Sequence, residues 1–345
     1  MKKKIKKLTL GELARKAGLS TGTVSMALRN NPIIKEKTRE YVQDLAHKLN
    51  YIPSALGRAL ATRSTQQIGL TITDITNPFF AEVVMGAETE AEAKKYNIIL
   101  SNTTYNAEKE KQSIGIFMQG IVDGVIIDPV ENNKDFSLYR QLKKFDIPFV
   151  LLRKLAGLEK TNFVMDDDKK AACMLTGHLI NEGAKKIAYV GSTRCGVTDH
   201  DRLLGYREEL KAHNISYRED FVFEQVGFGL KDGIECGRRI LGSRENFDAV
   251  MAFNDLLAIG IMEAAREMKL EIGRDIKIVG FDNIFYASLK EIDLTTAELP
   301  KFELGRKAAE VLLELIEDKK ENRKTKLKQI LLEPKLIIRG SSTRR

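Results

Sequence analysis

Apolar residues in the first fifty positions recur at intervals of three and four. Leu10, Leu13, Ala14 and Ala17 share one helical face, Val24, Ala27 and Leu28 a second, and Tyr41, Val42, Leu45, Ala46 and Leu49 a third. The polar residues between them punctuate helices. Thr9-Leu10-Gly11-Glu12 fits a capping box, in which the Thr hydroxyl and the Glu carboxylate reciprocally satisfy free backbone N–H groups. Gly18 supplies a left-handed stop and Ser20 an N-cap for the next helix. The pattern predicts helix, tight turn, helix, with a third helix covering the pair. From Gln66 onward the period changes to short apolar runs, at 68–73, 98–102, 124–128, 149–153, 187–191, 248–253 and 276–281, alternating with amphipathic stretches. These are parallel strands with helices between them. They are too many for one ordinary sheet, which predicts two doubly wound lobes with a cleft at the carboxyl ends of the strands.

The 345 residues allow two or three domains, and no apolar run approaches the roughly 20 residues needed to cross a bilayer. The start, MKKKIKKLTL, leads into no apolar stretch with a small-residue cleavage site, so a cytoplasmic protein without membrane attachment is expected. Cys173, Cys195 and Cys236 are odd in number and widely spaced, which argues against a disulfide framework and a structural zinc site. Net charge sharpens the division of the chain. Residues 1–65 carry fourteen Lys and Arg against four Asp and Glu, whereas the remainder carries forty-two against forty-four. The whole basic excess of the chain, which is +8 overall, lies in its first fifth, as expected of a small domain that meets a polyanion. The polar run Ser64-Thr65-Gln66-Gln67 marks the junction, giving domains at 1–53 and 67–345 with a linker at 54–66.

The second helix presents Thr21, Gly22, Thr23, Ser25, Met26 and Arg29 outward, short residues suited to the major groove. The run from Leu10 to Ser20, then Thr23-Val24-Ser25 and Leu49-Asn50-Tyr51-Ile52-Pro53, resembles the DNA-binding domain of the lactose-repressor (LacI/GalR) family. The resemblance implies that positions matching Thr21, Gly22 and Met26 read bases and that a short hinge helix, here within 54–61, enters the minor groove as a dimer pair. Leu60 would then be the apolar wedge that unstacks a base step, and Arg58 a phosphate contact. With Thr9 and Ser20 at the helix starts, these residues form the expected DNA-contacting set. Two departures stand out. Met26 replaces a common arginine and so removes a guanine reader, and Lys35 replaces the usual Ser-type cap of the third helix.

Enzyme motifs do not hold up. Gly18-Leu19-Ser20-Thr21-Gly22 matches the G-x-S-x-G elbow of hydrolases, but a helix, not a strand, is predicted before it. Gly227-Phe228-Gly229 with Gly233 misses the dinucleotide spacing by one residue. The four histidines form no visible triad or ligand set, so no catalytic residue, cofactor or metal is expected.

At the strand ends stand Asp74, Phe79, Phe80, Asp128, Arg153, Arg202, Phe228, Asn254 and Asp282, a set able to bond hydroxyls and stack on a ring. The resemblance extends here through Asn77-Pro78-Phe79-Phe80, Val122-Asp123-Gly124, Arg202-Leu203-Leu204-Gly205-Tyr206, Asn254-Asp255, Val279-Gly280-Phe281-Asp282 and Leu294-Thr295-Thr296. It implies an effector-binding core similar to periplasmic sugar-binding proteins, with Arg202 and Asp282 foremost in the cleft. Arg153 departs from the acid common in sugar-binding members, and convergence of Arg153, Arg194 and Arg202 would point to an acidic or phosphorylated effector. Ala297-Glu298-Leu299-Pro300 departs where the lobes join. The chain ends at Arg345 without the heptads of a tetramerisation tail, so a homodimer is expected. The expected function is a DNA-binding transcription regulator, a repressor by preference, whose hold on near-palindromic operator DNA is set by a small-molecule effector, a sugar or sugar derivative. The rival is a solute-binding receptor without DNA regulation.

Overall fold

A computed structural model of the chain describes residues 8–52, 57, 64–133, 135–155, 157–225 and 227–343. It divides into two compact units, residues 1–65 and 66–345. In the first, helices α1 (Leu10–Ala17), α2 (Thr21–Leu28) and α3 (Glu36–Lys48) enclose a core of Leu13, Ala14, Val24, Ala27, Val42 and Ala46. The capping box forms, with Thr9 N–H donating to Glu12 at 2.8 Å and Glu12 N–H to the Thr9 hydroxyl at 3.2 Å. Gly18, at φ 67°, closes α1 in the left-handed region, and the Ser20 hydroxyl caps α2 by accepting from Thr23 N–H at 3.1 Å. One expectation fails in this unit. Tyr41, expected on the buried face of α3, is 49% exposed; Val42 and Ala46 fill that face instead. Lys35 gives α3 no side-chain cap.

The second unit contains two six-stranded sheets. The first has the order β11-β5-β4-β3-β1-β2 and is parallel throughout: β1 (Gln67–Ile72), β2 (Asn97–Asn102), β3 (Gly124–Ile127), β4 (Phe149–Leu151), β5 (Phe163–Asp166) and β11 (Gln329–Leu332). The second has the order β12-β10-β9-β8-β6-β7: β6 (Ile187–Ser192), β7 (Val222–Gln225), β8 (Ala249–Ala252), β9 (Lys277–Phe281), β10 (Thr295–Glu298) and β12 (Lys335–Ile337). Here β12 runs antiparallel to β10, an exception to the parallel expectation. All seven strands expected from the sequence form, five of them stopping short at the carboxyl end or the start. Strands β5, β7, β10, β11 and β12 were not expected; several are half-exposed edges without a continuous apolar run.

Successive residues of each buried strand go to different cores, which is what packing on both faces of a sheet requires. In β3, Ile126 joins one core, whereas Val125 and Ile127 join another with Ile114, Phe117 and Leu138. In β8, Met251 faces one side and Val250 and Ala252 the other. The first lobe carries α4 (Pro78–Ala93), α5 (Ala107–Phe117), α6 (Ser137–Lys144) and α11 (Lys301–Lys320); the second carries α7 (Asp168–Asn181), α8 (Gly196–Ala212), α9 (Leu230–Leu241) and α10 (Asp255–Glu267). The chain therefore passes between the lobes three times, after β5, after β10 and between β11 and β12. Helices α4 and α11 touch through glycines. A Cβ on Gly86 would lie 1.9 Å from the Phe302 carbonyl oxygen, and one on Gly305 would lie 1.8 Å from that of Val83.

Candidate ligand cleft and DNA-reading helix

The carboxyl ends of the parallel strands of both lobes face one cavity, as open α/β sheets dictate. Seven of the nine expected residues line it: Phe79, Phe80, Asp128, Arg153, Arg202, Asn254 and Asp282, with Arg194 exposed at its edge. Asp74 does not. Its carboxylate accepts from the backbone N–H and hydroxyl of Thr76 at 2.9 and 2.6 Å, which spends it on the turn before α4. Phe228 is not in the lining either. It is buried, 4.7 Å from the Tyr105 ring and 5.6 Å from that of Phe253, and these two line the cavity in its stead.

Arg202 is the most constrained group of the cleft. It extends from α8 at 3% exposure, its Nε and Nη2 donate to Asp168 at 2.8 and 2.7 Å, and its Nη1 donates to the Phe253 carbonyl. The guanidinium lies between two rings, 4.6 Å from the Phe253 centroid and 4.2 Å from that of Phe281. Burial opposes its charge, yet Asp168 and Asp282 outweigh that and push its pKa up. Asn254 both lines the cleft and caps α10, accepting from Leu257 N–H at 2.8 Å. Asp282 follows β9 at φ 105°, and Lys301 donates to its carbonyl at 2.6 Å. Burial pushes the Asp282 carboxyl up, against the pull of Arg202 and Lys301.

In the first lobe, Arg153 occupies the end of β4. Burial again works against its charge, but Asp168, Asp128, Asp166 and Glu131 together raise its pKa. Its Nη1 is 3.8 Å from Asp166, whose carboxyl is pushed up to about 7, first by burial and then by Asp168, despite Arg153. Asp128 accepts from the Thr73 hydroxyl at 2.6 Å. Arg153 and Arg202 do share the cavity, but each is matched by buried carboxylates.

Several groups were missed from sequence. Glu131 stands three residues beyond Asp128, and Thr198 stands one helical turn before Arg202 on the same side of α8, a spacing that could have pointed to it. Asp166 and Asp168 belong to a run of three aspartates closing β5, a signal of a strand end in a buried place. Neither lines the cavity; both are buried, where they face Arg153 and Arg202, whereas Thr73, Tyr105 and Cys195 line it with Glu131 and Thr198 and carry no such signal. Among the described residues, no group of three or more His, Cys, Asp or Glu side chains could hold a metal ion, and no helix is long and apolar enough to cross a membrane.

In the first unit, Thr21 and Gly22 are exposed at the start of α2, and Thr23, Ser25 and Met26 are half-buried. Thr9 and Ser20 are used as caps, and the Thr23 hydroxyl is 2.9 Å from that of Ser20. Arg29 folds back onto Ser25, donating to its carbonyl at 3.2 Å and its hydroxyl at 3.1 Å. Arg58 and Leu60, with most of the 54–66 linker, lie outside the described residues.

Residues 9–54 match the family model of bacterial regulatory proteins, lacI family, and residues 176–342 match that of a periplasmic binding protein-like domain. The HTH-type transcriptional repressor PurR of Vibrio vulnificus is 31% identical, over 96% of this chain and 98% of its own. The complex of the transcriptional regulator CelR with cellobiose aligns with a TM-score of 0.73 at 26% identity, covering 96% of this chain and 99% of CelR. The lac repressor dimer bound to operator and the anti-inducer ONPF aligns with a TM-score of 0.85 over 98% of this chain and 100% of its own, and at 23% identity it supports the fold. A helix-turn-helix unit joined to a two-lobed core, with relatives of this similarity along nearly the entire length, makes the chain a member of the LacI family of bacterial regulatory proteins.

Proposed function

We propose that this chain is a cytoplasmic transcription repressor that grips near-palindromic operator DNA as a homodimer and releases or tightens that grip when a small molecule, a sugar or sugar derivative, enters the cleft between the lobes. The observation that carries this reading is the turn at Gly18, which sets α2 against α1 with Thr21 and Gly22 exposed and Met26 half-buried on the same helix. In this reading Thr21, Gly22 and Met26 meet base edges, Thr23, Ser25 and Arg29 meet edges or phosphates, and the starts of α1 and α2 at Thr9 and Ser20 approach the backbone. Arg58 and Leu60 act in the linker, through phosphate and the minor groove. The cleft groups Phe79, Phe80, Asp128, Arg153, Arg202, Asn254 and Asp282 contact the effector, and a change in lobe closure alters operator affinity by linkage.

Selection of operators from random DNA by the full-length protein tests this. A palindromic consensus is expected, and Met26→Arg is expected to change the preferred base at one position of each half-site by gaining a guanine contact. The same consensus from both proteins would place the recognition surface elsewhere, and no consensus from either would leave the solute-receptor reading standing.

A further inference from the structure

The cleft is filled from within. Glu131, on the connection between β3 and α6, reaches from the first lobe to the start of α8 in the second. Its Oε2 accepts from the backbone N–H groups of Val197 and Thr198 at 2.6 and 2.7 Å, and its Oε1 accepts from the Thr198 hydroxyl at 2.6 Å. Beside it, the Lys154 ammonium pairs with Asp201 across the cleft at 2.7 Å, and Asn132 donates to the Thr193 carbonyl. The free space left is about 40 Å³. Ligand pockets start at about 300 Å³, so a sugar-sized molecule enters only if the lobes part or a lining group leaves.

We propose that Glu131 is an internal occupant of an anion-binding subsite at the start of α8, and that the effector carries a carboxylate or phosphate group that takes its place. This rests on the cleft being the effector site. Glu131 is the group able to leave. It stands on a connecting segment, whereas Thr198 and Arg202 are held on a 17-residue helix, and Arg202 is pinned by Asp168 and two rings. What it leaves behind demands an anion. Two N–H groups at the positive end of α8 and one hydroxyl lose their acceptor. A fourth donor waits beside them: the Nε of Arg153, 3.7 Å from Glu131 on a side chain 8% exposed, has no hydrogen-bond partner and lines the same cavity. Glu131 is one of four carboxylates facing Arg153, with Asp168, Asp128 and Asp166, so exchanging it for a ligand's anion keeps the same number of acidic groups around that guanidinium. A neutral sugar entering the same way would leave these donors without the anionic acceptor they now hold.

Calorimetric titration of the full-length protein and its Glu131→Ala variant with acetate, inorganic phosphate and glucose, at constant ionic strength, tests this. Acetate or phosphate is expected to bind Glu131→Ala at least tenfold more tightly than the unaltered protein, glucose to gain nothing, and Thr198→Val added to Glu131→Ala to remove most of the gain. A larger gain for acetate assigns a carboxylate ligand, and one for phosphate assigns a phosphate ester. If Glu131→Ala does not fold, Glu131→Gln, which keeps the shape and loses the charge, is expected to show at least a threefold gain for the anion. Equal affinities in variant and unaltered protein, or a gain shared by glucose, would overturn the proposal. Operator binding measured on the same samples separates the outcomes: if it is intact while the anion gain is missing, only the subsite is wrong, and if the unaltered protein binds no operator, the regulator reading itself fails.

Discussion

Arg202 keeps its charge in a place where a lone cation could not persist. Asp168 supplies the counter-charge, the Phe253 carbonyl takes a third donor, and two aromatic faces cover the plane of the guanidinium. Lysine could replace the charge but not the flat surface. Arg202→Met leaves Asp168 buried without its partner, and Asp168 already has one oxygen unbonded. Urea unfolding is expected to register a loss of about 3 kcal/mol or more, and a loss under 1 kcal/mol would mean the pair is not desolvated as described. Arg202 was recognisable in the sequence because its neighbours form a contiguous motif, whereas Asp168 lies 34 positions earlier and looks like any helix-starting acid. Asp74 shows the converse. An aspartate at a strand end is equally able to serve a ligand or a turn, and only the position of Thr76 decides between them.

At the scale of elements, both ends of α1 and the start of α2 were readable because their caps are local: Thr9 with Glu12, Gly18, and Ser20 with Thr23. The missing cap of α3 follows from one residue in the same way. Lys35→Ser is expected to stabilise the start of α3 by about 1 kcal/mol, seen as roughly fivefold slower amide exchange in its first turn; unchanged exchange would mean the turn is held from elsewhere. The contact of α4 with α11 has no such local trace. Gly86 and Gly305 are more than two hundred residues apart, and nothing near either one announces that a carbonyl of the other helix will sit where a Cβ belongs. Gly305→Ala must push the helices apart and is expected to lower stability by 3 kcal/mol or more in the same urea experiment, whereas Gly115→Ala, whose Cβ meets nothing within 4 Å, is expected to be neutral or better.

Across the whole molecule, the two-lobed plan was visible because buried parallel strands are apolar along their length; β7, β11 and β12 were not, being half-exposed edges, and the buried β5 and β10 were not because each carries polar residues, Asp166 in one and Thr295 and Thr296 in the other. A buried acid beneath the cleft, at the end of β5, gives the core an uncommon pH response. The carboxyl of Asp166 titrates at about 7 in the folded protein, above its value in the unfolded chain, so the folded state holds the extra proton between these limits. Its stabilising contribution is complete near pH 4 and lost as the pH rises through 7, amounting to roughly 4 kcal/mol at most. Asp166→Asn is therefore expected to gain on the unaltered protein in melting temperature between pH 5 and pH 8; a constant difference would show that Asp166 stays ionised. The three passages of the chain between lobes carry a different consequence. The edge strand β11 pairs with β5, more than 160 residues upstream, and after it β12, Ser341 and Ser342 close the other lobe through Ile278, Thr295 and His178. During synthesis on the ribosome, neither lobe can complete its sheet until the segment beyond residue 329 has cleared the exit tunnel, whereas the helical unit at the other end is ready hundreds of residues sooner. Each newly made chain thus holds a finished DNA-reading head before it has a cleft to control it.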